Sequence, residues 1–205
     1  MNQFEYKTAF TIGGLFYRES MDLANLFLEV GDWSSVRTKA LETNLLRART
    51  KASLSRVITE VVSRLKELTQ NELRSLTEMN EREQLYLLWV ATCRRYRLLA
   101  DFATEVLRER YITIKPDVTH TDFDIFFNRK SEWHKELDRL SRPRRDKVRQ
   151  VVFKILREGG LLTRDYKIIP PLMSSSLINL ISEHDPNDAL LFPLFESDIA
   201  ATRDN

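Results

Sequence analysis

The chain has 205 residues, 42% hydrophobic and 30% charged, with 32 Lys/Arg set against 30 Asp/Glu. Such a balance predicts a folded core of one large or two small domains and excludes a disordered polyelectrolyte. One cysteine, Cys93, excludes an internal disulfide framework, and no run approaches the ~18–20 apolar residues of a membrane span. The opening MNQFEYKTAF has an acid where a signal peptide carries its basic region, so a cytoplasmic protein is expected.

Residues 1–15 read as extended or irregular up to the Gly13–Gly14 pair. Leu15–Val30 then reads as a helix with Phe16, Leu23, Leu26, Phe27 and Val30 as its apolar stripe, stopped by Gly31. Asp32 or Ser34 suits the cap of a second helix, about Ser35–Leu46, burying Val36, Ala40, Leu41 and Leu45. After a break at Arg47–Lys51, with Thr50 as a plausible cap, a long helix runs to Lys66. Its Leu54, Ile58, Val61, Val62 and Leu65 recur at the spacing of one helix face. Two helices joined by a short break have the layout of a helix-turn-helix.

Asn71–Asn80 is a weaker helix or turn. Glu81–Arg110 is the most apolar helical segment and the expected central helix, broken near Cys93, which reads as a buried structural thiol. Arg94, Arg95 and Arg97 on its polar side read as a solvated or ion-paired face. Tyr111–Ile114 is a short β-prone run, and the following PDVTHT marks a domain boundary near residue 115. Thr121 is placed as the cap of a helix bearing Phe123, Phe126 and Phe127. Ser141 is expected to cap another, in which Val148, Val151, Val152, Ile155 and Leu156 face inward until Gly159–Gly160. LLTRDYKIIPP reads as two β-prone pieces around Arg164–Asp165–Tyr166, hence a hairpin wing. Ser174–Ser182 reads as a last helix, and residues 196–205 as a loose tail. The expected architecture is mainly α: helix-turn-helix or winged-helix-like modules around a central apolar helix, in domains 1–115 and 116–195, with a β-hairpin wing in the second.

No catalytic constellation stands out. His120, His134 and His184 lie far apart, Asp122 and Asp124 sit where helix capping explains them, and Gly13–Gly14 lacks the continuation of a phosphate loop. No catalytic residue, metal site or cofactor is expected.

Charge is what stands out. Ser34–Lys66 holds eight basic residues and two acidic ones, a balance of +6, while the rest of the chain holds 24 basic and 28 acidic. Ordinary exposed helices interleave Glu with Lys; here hydroxyl residues take that place, and they suit close approach to phosphate. Ser141–Lys167 repeats the bias with nine basic and three acidic residues. The charge pattern points to a polyanion. The candidate DNA-binding residues are Arg37, Arg47, Arg49, Lys51, Ser55 and Arg56, with Arg142, Arg144, Arg145, Lys147, Arg149, Arg164 and Lys167 as a second contact. Few aromatics interleave with these charges, which favours duplex DNA over single strands.

The order of features also resembles the BrxA family, small accessory proteins of BREX bacteriophage-defence systems. The resemblance is carried by Gly13–Gly14–Leu15 with Glu19–Ser20, Asp32–Trp33, Asn44–Leu45–Leu46 with Arg49–Thr50, Arg64–Leu65 and Leu88–Trp89. It continues through Phe102–Leu107, Asp122–Phe123 with Phe126, and Leu156–Leu162 before Ile169–Pro170. It implies an all-helical protein with two winged-helix-like modules that binds double-stranded DNA without catalysis, beside the other BREX proteins. It also keeps an RNA-binding, antitermination-factor-like module as an alternative, and the basic faces have a rival reading as a protein–protein adaptor that meets acidic patches on the other BREX proteins. The resemblance brings no catalytic motif, so the candidate residues rest on charge.

Overall fold

The computed structural model describes residues 5–203, which form two compact units: Leu15–Arg95, and the residues up to Gly14 together with those from Tyr96 onward.

The first unit contains five helices: α1 (Tyr17–Val30), α2 (Trp33–Glu42), α3 (Lys51–Leu65), α4 (Gln70–Glu78) and α5 (Glu81–Arg95). Local chemistry fixes their ends. Gly31, at φ 81°, closes α1 in the left-handed conformation that a side chain disfavours. Asp32 accepts from the backbone N–H groups of Ser34 and Ser35 to start α2, and Thr50 accepts from Ser53 to start α3. Thr69 and Glu72 form a reciprocal capping box at α4. Helix α1 packs against the other four, and α3 and α4 both pack against α5. The stripe of α3 buries Leu54, Ile58, Val61, Val62 and Leu65 as its spacing predicts. Helix α5 has no comparable polar face: Tyr86 through Cys93 are all buried, the pattern of a helix enclosed on every side.

The second unit contains α6 (Arg97–Phe102), a π-helical stretch Ala103–Arg108, and α7 (Glu109–Ile112). After these come α8 (His120–Ser131), α9 (Lys135–Asp138), α10 (Arg142–Glu158), α11 (Ser175–His184) and α12 (Glu196–Arg203). A 3-10 turn at Ala9–Ile12 packs against α10. Phe102, Phe123, Phe126 and Phe153 build an aromatic core in which Phe102 meets Phe126 edge-on at 5.3 Å between ring centroids. Gly14 is pressed against the end of α10: a Cβ there would lie 2.0 Å from the Glu158 carboxylate.

Several expectations are corrected. The fold is mainly helical, but no β-strand occurs among the described residues, so the C-terminal half has no hairpin wing. Of the expected hairpin only a single bridge survives, between Leu162 and Ile168. The ladder cannot lengthen because Pro170 and Pro171 follow without N–H donors. The 115–118 segment takes the outer side instead: Val118 N–H donates to Tyr166 O, and Ile168 N–H to Pro116 O.

Helix α2 ends at Glu42 rather than Leu46, leaving residues 43–50 as the connection to α3. That is longer than the ~3–4-residue turn of a tight helix-turn-helix. Leu41, expected inside, is exposed. The apolar segment 81–110 breaks at Tyr96, where the units divide, rather than at Cys93. Residues 109–112 are helical rather than β-prone, and Thr119, not Thr121, caps α8 with Asp122 in a capping box. The expected loose tail forms α12 over Glu196–Arg203, with Ile199 buried; residues 204–205 lie outside the described residues.

Candidate nucleic-acid interface

The first basic set is assembled by α2, the 43–50 connection and α3. The connection is held by one side chain: the Asn44 amide accepts from Ala48 N–H at 2.9 Å and donates to Ala48 O at 3.2 Å. Asn44 and Arg47 both adopt positive φ, 48° and 49°, which folds the chain sharply before α3. This turn presents Arg47 and Arg49 to solvent ahead of Lys51, the first residue of α3, with Ser55 and Arg56 exposed about one turn further on. Arg37 lies half-buried on α2.

Within Ser34–Lys66 two cations are neutralised. Lys39 meets Glu29 at 3.5 Å, and Arg64 is buried against Glu60 at 2.8 Å with its guanidinium over the Phe16 ring. Arg37, Arg47, Arg49, Lys51, Arg56 and Lys66 have no carboxylate partner among the described residues. No acid occupies the first turn of α3, so the positive end of the helix dipole adds to the side-chain charges there. This surface can accept phosphate oxygens without first breaking an ion pair.

The second basic set is differently placed. Arg145 donates to the Asn128 side chain at 2.7 Å and to Asp124 O at 3.1 Å, with its guanidinium 4.7 Å from the Phe127 ring centroid. Arg149 is clasped by Asp124 at 2.7 Å and Asp146 at 2.9 Å. Lys167 meets Asp117 at 3.4 Å, and Lys154 meets Glu158 at 3.6 Å. Arg142, Arg144, Lys147 and Arg164 remain exposed with no carboxylate partner among the described residues. Arg145 and Arg149 therefore fasten α10 to α8, while Arg142, Arg144 and Lys147 stand out from the same helix.

Beside this set, His120 is half-buried edge-on to Phe153 and Tyr166 at 4.7 and 5.2 Å between ring centroids. Burial lowers its pKa, and the nearby positive charges of Arg149 and Arg157 add to that against the opposing pull of Asp124. The imidazole is thus held neutral, a packing group rather than a further cation.

Arg94, Arg95 and Arg97 are ion-paired, to Glu72, Glu67 and Asp101 respectively. Asp122, half of the DxD pair, serves the α8 cap and accepts from Arg110 at 2.8 Å. No group of three or more His, Cys, Asp and Glu able to hold a metal occurs among the described residues, and no helix is long and apolar enough to cross a membrane.

One group escaped the charge pattern. Thr8 joins Arg144, Lys147 and Thr11 around a recess beside α10, and no local signal links residue 8 to a helix that begins at Arg142.

A model of the BrxA family matches residues 4–185. A protein of Bacillus cereus (strain H3081.97) described as "BREX protein BrxA" is 24% identical over 149 residues, spanning 71% of this chain and 74% of that protein. The crystal structure of an uncharacterized protein from Magnetospirillum magneticum has the same fold, with a TM-score of 0.77 at 20% identity over 91% of this chain and 97% of that one.

Proposed function

Because the chain belongs to the BrxA family, we propose that it is a non-catalytic accessory protein of a BREX bacteriophage-defence system that binds double-stranded DNA through its phosphate backbone. Its partners in this reading are duplex DNA and other proteins of the same defence system. The observation that carries the DNA part is the set of five cations (Arg37, Arg47, Arg49, Lys51 and Arg56) on α2, the 43–50 connection and α3 that no carboxylate neutralises among the described residues. Arg47, Arg49, Lys51 and Arg56 reach phosphates, and Ser55 adds a short donor that lets the helix approach closely. Arg37 flanks this surface from α2. Arg142, Arg144, Lys147, Arg164 and Lys167 make the second contact, with Arg145 and Arg149 fixing the helix that presents it. Contacts of this kind position a protein on DNA without reading its sequence, and no Asn/Gln cluster on α3 promises base readout.

Fluorescence anisotropy with a labelled duplex, at about 50 mM salt where phosphate contacts are strongest, tests the reading. Saturable binding that Arg49→Glu/Arg56→Glu abolishes supports it. Duplex RNA or single strands that compete better than duplex DNA would transfer the site to RNA or single-stranded DNA. Absence of any nucleic-acid binding would leave the basic surface as an adaptor for acidic partners within the defence assembly.

A further inference from the structure

Cations on an open helix face meet phosphates side-on; a recess walled by cations does something more selective. In the second unit the 3-10 turn Ala9–Ile12 lies against the start of α10. Between them is a cavity of about 230 Å³ lined by Thr8, Thr11, Leu140, Arg144, Lys147 and Val148.

Its lining is chemically one-sided. Arg144 and Lys147 are spaced i, i+3 and share one face of α10. Neither has a carboxylate partner among the described residues, and no acid lines the cavity. Thr8 Oγ1 has no hydrogen-bond partner there either and is available as a donor, whereas the Thr11 hydroxyl already donates to Thr8 O at 3.0 Å. Leu140 and Val148 supply apolar wall, which lowers the local dielectric and strengthens the cations' attraction for an anion inside.

Size narrows the ligand. Pockets for drug-sized molecules span roughly 300–1,000 Å³, so this one suits a single tetrahedral anion with a little of what it is attached to. Arg144 can fork onto two oxygens, Lys147 contributes a point charge, and Thr8 donates to a third oxygen.

We propose that the recess between the Ala9–Ile12 turn and α10 is a binding site for one terminal phosphoryl group, held by Arg144, Lys147 and Thr8. The proposal shares with the DNA reading the assignment of Arg144 and Lys147 to phosphate, and goes further in naming a monoester end rather than the continuous backbone. That end is either the 5′-phosphate of a nucleic acid or the phosphate of a small ligand; the chemistry at the recess is the same.

The test uses the full chain and two probes. Inorganic phosphate is titrated by ³¹P NMR, and duplexes of one sequence with 5′-phosphate or 5′-hydroxyl ends are compared by anisotropy. Saturable phosphate binding, weakened tenfold or more in Arg144→Gln/Lys147→Gln and severalfold in Thr8→Val, is the expected result. A preference for the 5′-phosphorylated duplex that the double substitution removes identifies the ligand as a nucleic-acid end. Phosphate binding without that preference identifies a small phosphorylated ligand. Absence of saturable phosphate binding, or binding indifferent to all three substitutions in folded variants, overturns the site. Arg144 and Lys147 are exposed, so the double variant retains its fold, and circular dichroism checks this. Duplex binding abolished by Arg49→Glu/Arg56→Glu would survive such a failure, because those residues lie in the other unit.

Discussion

If the chain binds duplex DNA as proposed, the salt dependence of that binding counts the phosphates engaged, and the proposed contacts give the count to expect. Five cations of the first basic set, Arg37, Arg47, Arg49, Lys51 and Arg56, lack a carboxylate partner among the described residues. If each neutralises one phosphate, these contacts alone give a slope of log K against log[salt] of about −0.9 each, or roughly −4.5 together. Between about 50 and 200 mM salt that slope lowers affinity by roughly three orders of magnitude. The perturbation is Arg49→Gln/Arg56→Gln, which removes two charges without introducing repulsion, and the slope should become shallower by about 1.8. The control is Arg145→Gln/Arg149→Gln, whose guanidinium groups are held by Asp124, Asp146 and Asn128. Those side chains have no free charge to give the duplex, so the slope should hold while the melting temperature falls. Anisotropy titrations at four or five salt concentrations, with circular dichroism melts alongside, measure both. A wild-type slope shallower than about −2, or one that Arg145→Gln/Arg149→Gln reduces more than Arg49→Gln/Arg56→Gln does, refutes the reasoning.

Three further predictions concern the framework that holds this surface. Glu72 is buried and paired with Arg94 at 2.6 and 2.8 Å; burial raises its pKa, but the guanidinium and the Thr69 donors outweigh that and hold the carboxyl below its ordinary range. Its stabilisation is complete above about pH 4.3 and is lost as pH falls through the lowered native value. Glu72→Gln should cost about 3–5 kcal/mol at neutral pH by taking the carboxylate away from the buried Arg94 guanidinium, and should flatten the acid limb of urea midpoints measured from pH 7 to 3. Thr50→Ala removes the α3 cap and should cost about 1 kcal/mol in urea denaturation, with weaker duplex binding at an unchanged salt slope. Gly31→Ala meets no atom within 4 Å, yet should cost about 1–2 kcal/mol because φ there is 81°; a melting temperature equal to wild type would contradict the left-handed cap.

What was legible in the sequence was mostly what is decided within a turn or two of chain, although even there Thr119 rather than Thr121 caps α8. Asp32 and Thr50 read correctly as caps because a cap is a contact across two or three residues, and the α3 stripe read correctly because burial follows helical period. The hairpin misread shows the limit. Leu161–Leu162 and Ile168–Ile169 are β-prone, but propensity does not reveal that the 115–118 segment would bond to Tyr166 and Ile168 and leave one bridge of a ladder. The candidate site divides along the same line. The scarcity of acids around α3 is visible in the sequence, whereas Asp124, 21 and 25 residues from the arginines it binds, becomes their partner only when α8 packs beside α10. Thr8 lies beyond any local pattern.

The two basic stretches carry the same formal charge of +6, yet folding leaves them unequal. Around α3 Glu29 comes in from outside the stretch to Lys39, and Glu60 is consumed in burying Arg64. In the second stretch the neighbouring segments deliver Asp117 to Lys167 and Asp124 to Arg149, and Asp146 and Glu158 of α10 itself turn back onto its cations. A phosphate recruiting Arg149 must break charge-assisted bonds worth roughly 1.5–3 kcal/mol each, whereas one recruiting Arg49 displaces only water and counterions. Binding capacity therefore follows the charge that remains after folding, not the charge in the sequence. On α10 that remainder is concentrated at Arg142, Arg144 and Lys147, the same end of the helix that walls the recess.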